Sequence, residues 1–273
     1  MSALTMTPPV FSILTDLVEE RAGLHYGLSD QSIFESKVST RALEHGFDSA
    51  LDYYYLLRYD DPEGHELTRL VEALVVHETY FFREYEQLEV LLTHFVAPVV
   101  AAGGRPRIWS AACATGEEPY TIAMWLDAHG LLDAVDILAS DISQPALEVA
   151  QRARYRHRSL RRSPSGIDPK RWLVEADGTV TVDERLRAAV QWRQLNLLDA
   201  DAQRSLGQLD VIVCRNVLMY FRSHLIERVV DQLVERLKPS GALLVGVSES
   251  LLRFSTRVRC EERDGAFLYR RVR

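Results

Sequence analysis

Apolar residues recur at helical spacing through the first third of the chain, and the rhythm then changes. In "FSILTDLVEERAGL", Phe11, Leu14, Leu17 and Val18 share one helical face. In "SIFESKVSTRALEHG", Ile33, Val38 and Leu43 repeat the pattern, and Gly46 marks a C-terminal stop. "LDYYYLLRYDDPEG" predicts a third helix ended by an Asp-Pro turn, and "HELTRLVEALVV" a fourth. No segment from 10 to 96 alternates like a strand. The expectation is a helical N-terminal domain over 1–96, with "QLEVLLTHFVAPVVAAGG" as a connecting helix closed by Gly103 and Gly104.

From Arg107 onward, short apolar runs alternate with helical stretches. "RIWSAAC", "VDILASD", "LDVIVCRN" and "ALLVGVS" read as buried strands; "EPYTIAMWLDAHGLL" and "SHLIERVVDQLVERLKPS" read as helices between them. This alternation predicts an α/β domain over 97–273 with a doubly wound, mostly parallel sheet. "RVRCEERDGAFLYRRV" predicts two final strands around an Asp-Gly turn. Residues 155–192 break the alternation, and "ADGTV" within them is a hairpin signal, so a small β-subdomain inserted there is expected.

Composition narrows the classes. With 273 residues, 47% of them hydrophobic, the chain can bury a large core. A net charge of −7 disfavours nucleic acid or an anionic membrane as partner of the whole molecule. No apolar run approaches the ~20 residues of a membrane span, and "MSALTMTPPVFSIL" lacks the pattern of a secretory signal. Cys113, Cys214 and Cys260 are too few and too scattered for a disulfide frame or a zinc cluster. The eight histidines show no metal spacing, so no metal is expected. The expectation is a cytoplasmic protein.

The chemistry concentrates in three stretches. "IWSAACATGEEPY", residues 108–120, passes from strand to a small-residue turn to a helix start carrying Glu117 and Glu118. A phosphate there would call for more glycines and a lysine. Asp141 closes the next strand at the edge where such folds bind ligands, and an acid there commonly holds a ribose. Acids with a ribose and no phosphate fit a cationic ligand such as S-adenosylmethionine, although carboxylates at a helix start are also stabilised by the helix dipole. "VHETYFFRE", residues 76–84, sets an arginine directly after aromatics that could equally be packing. "DVIVCRNVLMYF", residues 210–221, brings Arg215 and Asn216 to the ligand edge, where Asn216 could instead cap the next helix. Tyr220 could be plain core.

Taken together, "HETYFFRE", "WSAACATGEEPYTIA", "ASDIS", "NLLD" at 196–199 and "CRNVLMYF" closely resemble the chemotaxis receptor methyltransferase family, in family order and spacing from about residue 12 to the C-terminus. The resemblance implies a class I S-adenosylmethionine-dependent methyltransferase fold. It also implies transfer of a methyl group to glutamate side chains on the cytoplasmic domain of a chemoreceptor or related signalling protein. Carried over by motif, the cofactor would be held by Thr79, Arg83, Glu118, Asp141, Asn196, Leu197, Arg215 and Asn216. His77 stands where members often carry asparagine. Arg83 and Tyr220 match the residues thought to orient the transfer. A basic helix face is thought to dock family members on the receptor; here residues 1–70 hold five Lys and Arg against twelve Asp and Glu, with only Lys37 and Arg41 on the relevant helix.

A glutamate carboxylate, with a pKa near ~4.3, is already ionised at neutral pH. Methyl transfer to it needs no activated nucleophile, and proximity and alignment are what the protein must supply. "QRARYRHRSLRRSPSG" carries six arginines from 152 to 162. It reads either as a solvated helix end and loop or as a docking surface for an acidic receptor helix through Arg158, Arg161 and Arg162. Nucleic acid is disfavoured there, because only Tyr155 accompanies the charge. The alternative to an enzyme is a regulatory module that binds the cofactor without turnover.

Overall fold

A computed structural model describes residues 4–161 and 163–272. The chain divides into two compact units. One runs to Val76 and includes Tyr220–Arg222; the other holds His77–Met219 and everything described from Ser223 onward.

The first unit is helical, with helices Pro8–Ala22, Gln31–Glu44, Ala50–Tyr55 and His65–Leu74. The first begins with two prolines at its first turn and ends at Gly23 in the left-handed region, φ 76°. Its apolar face is the one predicted, with Phe11, Leu14, Leu17 and Val18 all buried. The second helix forms as expected and buries Val38 as expected, but the face it turns inward is displaced from the predicted one. Phe34, Val38 and Ala42 are fully buried, whereas Ile33 is 57% exposed. Spacing of four places these three in one line, and the large ring of Phe34 wins the interior, packing at 5.4 Å from Phe11 and 5.0 Å from Tyr26. The two cations of that helix are engaged within the unit. Arg41 Nη2 meets Glu66 Oε2 at 2.5 Å, and Lys37 Nζ donates to the Leu74 carbonyl at 3.2 Å.

The second unit is built on a seven-stranded sheet. Its strands are β1 Arg107–Ala111, β2 Asp136–Asp141, β6 Val190–Gln194, β7 Leu209–Cys214, β8 Leu237–Val245, β9 Val258–Arg263 and β10 Ala266–Arg271, in the order β6-β2-β1-β7-β8-β10-β9. The first five run parallel; β10 returns antiparallel to β8, and β9 to β10. Strand β1 lies at the switch point. The chain leaves it toward β2 on one side and comes back to β7 on the other, which opens a crevice beyond the carboxyl ends of the strands. The core strands read as near-continuous apolar runs because helices cover both faces, and every residue of β7 is buried.

Two expected boundaries move. The helix Tyr85–Phe95 belongs to the sheet unit, so the division falls at residue 76 rather than 96: Leu88, Leu91, Leu92 and Phe95 join the same apolar core as Ile108, Val211 and Leu244. The inserted subdomain is a three-stranded sheet, β3 Arg154–Arg156, β4 Leu173–Ala176 and β5 Thr179–Val182, in the order β3-β5-β4. It ends before residue 190, because Val190–Gln194 pairs with β2 as a parallel edge strand of the main sheet. Only long-range pairing reveals that, since "VQWRQ" by itself is too polar to read as a sheet strand. The "ADGTV" turn is tight, with Asp177 and Gly178 both at positive φ, 52° and 68°.

Candidate functional site at the carboxyl edge of the sheet

The loops leaving β1, β2, β6, β7 and β8 converge on one edge, and the segment 77–84 joins them. Among the described residues, eight non-glycine residues have left-handed φ, and five of them lie here: Phe82 63°, Glu84 48°, Ala112 59°, Ala114 47° and Asn216 58°. Such conformations cost of order 1–3 kcal/mol each and persist where surrounding contacts over-determine them. The small side chains at 112 and 114 lower that cost in the turn after β1. Gly116, φ 92°, is required twice over, because a Cβ there would lie 2.6 Å from Ala150 Cβ and 2.9 Å from the Trp192 ring.

Arg215 is the centre of the edge. Its side chain is 2% exposed and sits between two carboxylates, Nη1 at 3.1 Å from Glu118 Oε2 and Nη2 at 3.1 Å from Glu84 Oε2. Nη2 also donates to the Arg83 carbonyl at 2.6 Å, which ties the aromatic segment to the end of β7. Glu118 in turn accepts from Ser110 Oγ at 2.6 Å. Burial pushes the Glu118 carboxyl above its ordinary range, with Arg215 and Ser110 offsetting only part of the rise. Burial acts on Glu84 as well, but there Arg215 and the donors Val247 N–H and Asn216 outweigh it and hold the group low. Arg215 Nε is buried with no hydrogen-bond partner in the structure.

Asp141 ends β2 with both oxygens occupied by backbone donors, Oδ2 from Ala114 N–H at 2.8 Å and Oδ1 from Ser143 N–H at 2.9 Å. Burial still raises its pKa, and the backbone donors and the nearby His77 counter it. His77 therefore stands within electrostatic reach of Asp141. Of the paired acids that open the helix Glu117–Ala128, Glu118 turns to Arg215 while Glu117 is buried in the packing. Glu117 is held by Thr115 Oγ1 at 2.6 Å and by Ser159, and desolvation raises its pKa.

The other predicted residues take simpler places. Asn196 Oδ1 accepts from Leu198 N–H at 2.9 Å and shapes the turn after β6. Leu197 is buried, and its carbonyl takes Gln203 Nε2 at 2.7 Å. That turn is joined to Asp141, whose carbonyl accepts from Leu195 N–H at 2.9 Å. Thr79 is half-buried in the segment before the aromatics. Phe81 and Phe82 are core, whereas Arg83 is half-buried, with Nη1 on the Glu78 carbonyl at 2.7 Å and its guanidinium 5.8 Å from the Tyr80 ring. Tyr220 groups with the helical unit, where its carbonyl accepts from His25 N–H at 2.8 Å. Asn216 does not cap a helix through its side chain: it occupies the left-handed region and donates to Glu84 Oε1 at 3.3 Å.

Two further carboxylates organise this edge and escaped the sequence reading. Glu84 closes the aromatic motif, and Glu249 follows β8. Glu249 is buried, and its oxygens accept from the backbone N–H groups of Asn216 at 2.6 Å, Gly246 at 2.9 Å and Met219 at 3.2 Å. The loops after β7 and β8 are thereby fastened to one side chain. The signal for Glu249 is the one that identified Arg215, a polar residue just past an apolar strand in "LLVGVSES".

A family model described as "CheR methyltransferase, SAM binding domain" matches residues 77–266, and one described as "CheR methyltransferase, all-alpha domain" matches residues 9–75. The chain belongs to the CheR methyltransferase family. It is similar to "Chemotaxis protein methyltransferase 2" of Vibrio cholerae serotype O1, 34% identical over 94% of this chain and 90% of that protein. It is also similar to "Chemotaxis protein methyltransferase 2" of Pseudomonas aeruginosa, 36% identical over 87% of this chain and 85% of that protein. Among solved structures, PKMT2 from Rickettsia typhi aligns with 62% of this chain and 26% of its own at a TM-score of 0.38 and 17% identity. The CheR fold is thus a helical domain followed by a class I methyltransferase sheet. S-adenosylmethionine (SAM) is the ligand of that sheet domain, and the residues at its carboxyl edge fit it. One buried guanidinium between two carboxylates, with Asp141 close by, leaves uncompensated negative charge for a cationic ligand. The unpaired Arg215 Nε lacks an acceptor of the kind a ligand carboxylate provides.

Proposed function

We propose that this CheR protein transfers a methyl group from SAM to glutamate side chains of a chemoreceptor or related signalling protein in the cytoplasm, leaving glutamate methyl esters and S-adenosylhomocysteine. The observation that carries the reading is the Glu84–Arg215–Glu118 cluster beside Asp141, a negatively biased cluster at the carboxyl edge of the sheet in a chain whose relatives are named chemotaxis protein methyltransferases. SAM, when bound, supplies a methyl carbon on a sulfonium: the C–S bond breaks with its electron pair left on sulfur as a carboxylate oxygen forms the new C–O bond.

The chain's own residues have the remaining tasks. Asp141 takes the ribose hydroxyls. His77, Thr79 and Glu118 line the cofactor, as do Asn196, Leu197, Arg215 and Asn216. Arg83 bears a positive charge that is paired with no carboxylate among the described residues. It serves to hold the incoming carboxylate, or the cofactor's own, on the transfer axis, and the Tyr220 hydroxyl assists. Neither removes a proton, since the acceptor arrives ionised. Their contribution is alignment, which supplies up to ~7–11 kcal/mol in the most favourable systems.

The deciding experiment incubates the protein with methyl-labelled SAM and receptor cytoplasmic fragments. Base-labile methyl ester should accumulate on the fragment, and Arg83→Ala should lower kcat while leaving the uptake of S-adenosylhomocysteine measurable. Uptake of the ligand with no ester on any fragment would instead favour a regulatory module.

A further inference from the structure

We infer that the sheet unit carries a second ligand site, a cleft on the face of β2 and β6 that takes the phosphate group of a small phosphorylated molecule. The strand order explains why this face is open. To return from β6 to β7 the chain must pass over β2 and β1. The other connections between parallel strands carry helices of 12, 9 and 14 residues. This one has only Ala200–Arg204, five residues and about 7.5 Å long, against about 17 Å for β6 alone. The short helix leaves part of the sheet face uncovered. A cleft of about 430 Å³ lies there, floored by Leu138 and Gln191 and walled by Leu206. Alternation accounts for the polar composition of "VQWRQ": Trp192 packs on the far face against Tyr120 at 5.5 Å, while Gln191 and Arg193 turn to the cleft.

Two guanidinium groups meet at the cleft. Arg107, the first residue of β1, and Arg193, in β6, both reach the turn that follows the short helix. Arg193 Nη1 donates to Ser205 Oγ and Arg107 Nη1 to the Gln208 carbonyl, each at 3.1 Å. Gly207, φ 73°, lets that turn come close, since a Cβ there would stand 3.2 Å from Arg107 Nη1. One bond apiece leaves most of the five N–H donors of either fork unused. Among the described residues, neither arginine has a carboxylate partner. The acids nearby are taken: Asp136, which also lines the cleft, pairs with Arg105 at 2.8 Å, and Asp210 pairs with Lys238 at 2.8 Å. The cleft is thus a positive spot in a chain of net charge −7. The arginine-rich stretch at 152–162 adds nothing to it: Arg152 and Arg161 pair with Glu148 and Glu78, and Arg162 lies outside the described residues.

The ligand class follows from the donors. A carboxylate has two oxygens and is satisfied by one fork, whereas a phosphate offers more oxygens and a higher charge, enough for two forks at once. Leu138 and Leu206 give the remainder of a small molecule an apolar surface to lie on. The cleft is distinct from the carboxyl edge. Arg107 and Asp136 are the first residues of their strands, and β2 runs about 17 Å from Asp136 to Asp141. Charge separates the two places as well: the carboxylates around Arg215 suit a cation and repel a phosphate, which the cleft attracts. The site depends on neither the cofactor nor the methyl acceptor.

The test is calorimetry of the full chain with inorganic phosphate at constant ionic strength. Phosphate should bind at a single site per chain. Arg193→Gln and Arg107→Gln should each weaken it about tenfold or more, the loss of a charge-assisted pair. Arg193→Lys, which keeps the charge but not the fork, should fall between parent and Arg193→Gln. The affinity for S-adenosylhomocysteine should stay within about twofold in all three variants, and thermal melts check that each one folds. Saturating S-adenosylhomocysteine should leave phosphate binding unchanged. No binding of phosphate by the parent, or equal binding by the parent and both glutamine variants, would overturn the site. Displacement of phosphate by S-adenosylhomocysteine would place it at the carboxyl edge and overturn the site too. Tighter binding of succinate than of phosphate would overturn the ligand class.

Discussion

Asp141 shows how a buried carboxylate can be held in place and still be costly. Its oxygens take two backbone N–H groups, yet burial keeps its pKa above the ordinary 3.8, as it keeps Glu118 above the ordinary 4.5. A ligand bearing positive charge favours the ionised forms, so its binding draws the two pKa values down and releases protons. Affinity for SAM should therefore increase as pH rises through the raised values and weaken as pH falls through them. Calorimetry in two buffers of different ionisation enthalpy should show net proton release in that window, and Asp141→Asn should diminish it. The same variant loses charge-assisted acceptance, each bond worth about 1.5–3 kcal/mol, so S-adenosylhomocysteine should bind at least about tenfold more weakly. Unaltered binding would contradict the role given to Asp141. Glu249 acts without being placed against the ligand. Glu249→Ala leaves three backbone N–H groups without their acceptor and should cost about 2–4 kcal/mol, read by urea unfolding.

Single elements show where pattern stops being informative. The helix Gln31–Glu44 is amphipathic on two overlapping lines, one through Ile33 and one through Phe34, Val38 and Ala42. Periodicity accepts either, and only packing selects. Phe34→Ala should cost about 3–5 kcal/mol, while Ile33→Ala should change stability by less than about 0.5 kcal/mol; thermal melts of the two variants measure the contrast. The loop after β8 depends on shape in the same way. A Cβ at Gly246 would stand 2.7 Å from Asn216 Nδ2 and 2.8 Å from Glu249 Oε2, so no side chain fits between the two loops. Gly246→Ala should destabilise by about 1–3 kcal/mol and weaken ligand uptake, because Asn216 must shift.

On the scale of the molecule, the helical unit carries its own core and the sheet unit carries the ligand edge. No helix among the described residues is long and apolar enough to cross a membrane. Ligand binding acts by mass action on the folded sheet unit, so S-adenosylhomocysteine at a hundred times its Kd should add about 2.7 kcal/mol to that unit's stability. Hydrogen exchange should slow at 112–118 and 215–219, where the strained loops sit, with little change in helix Pro8–Ala22. Uniform protection across both units would argue against a site built on the sheet edge.

Local pattern carried the larger features. A run of apolar residues four to eight long between helices has few fates other than a buried parallel strand, and polar residues at its carboxyl end lie near the ligand in this topology. By that reasoning the chain alone determined the α/β class, the helical start, both Asp-Gly turns and the placing of Glu118, Asp141, Arg215 and Asn216 on one edge. Tertiary structure decided the rest, because the deciding interactions join residues far apart in the chain. Glu84 meets Arg215 across 131 positions, Glu249 gathers backbone from 216, 219 and 246, and Val190–Gln194 becomes a sheet strand only by pairing with β2. Periodicity records which residues prefer to be inside. Which partner a buried charge finds there depends on the three-dimensional packing, since burial without that partner is what the folded chain must avoid.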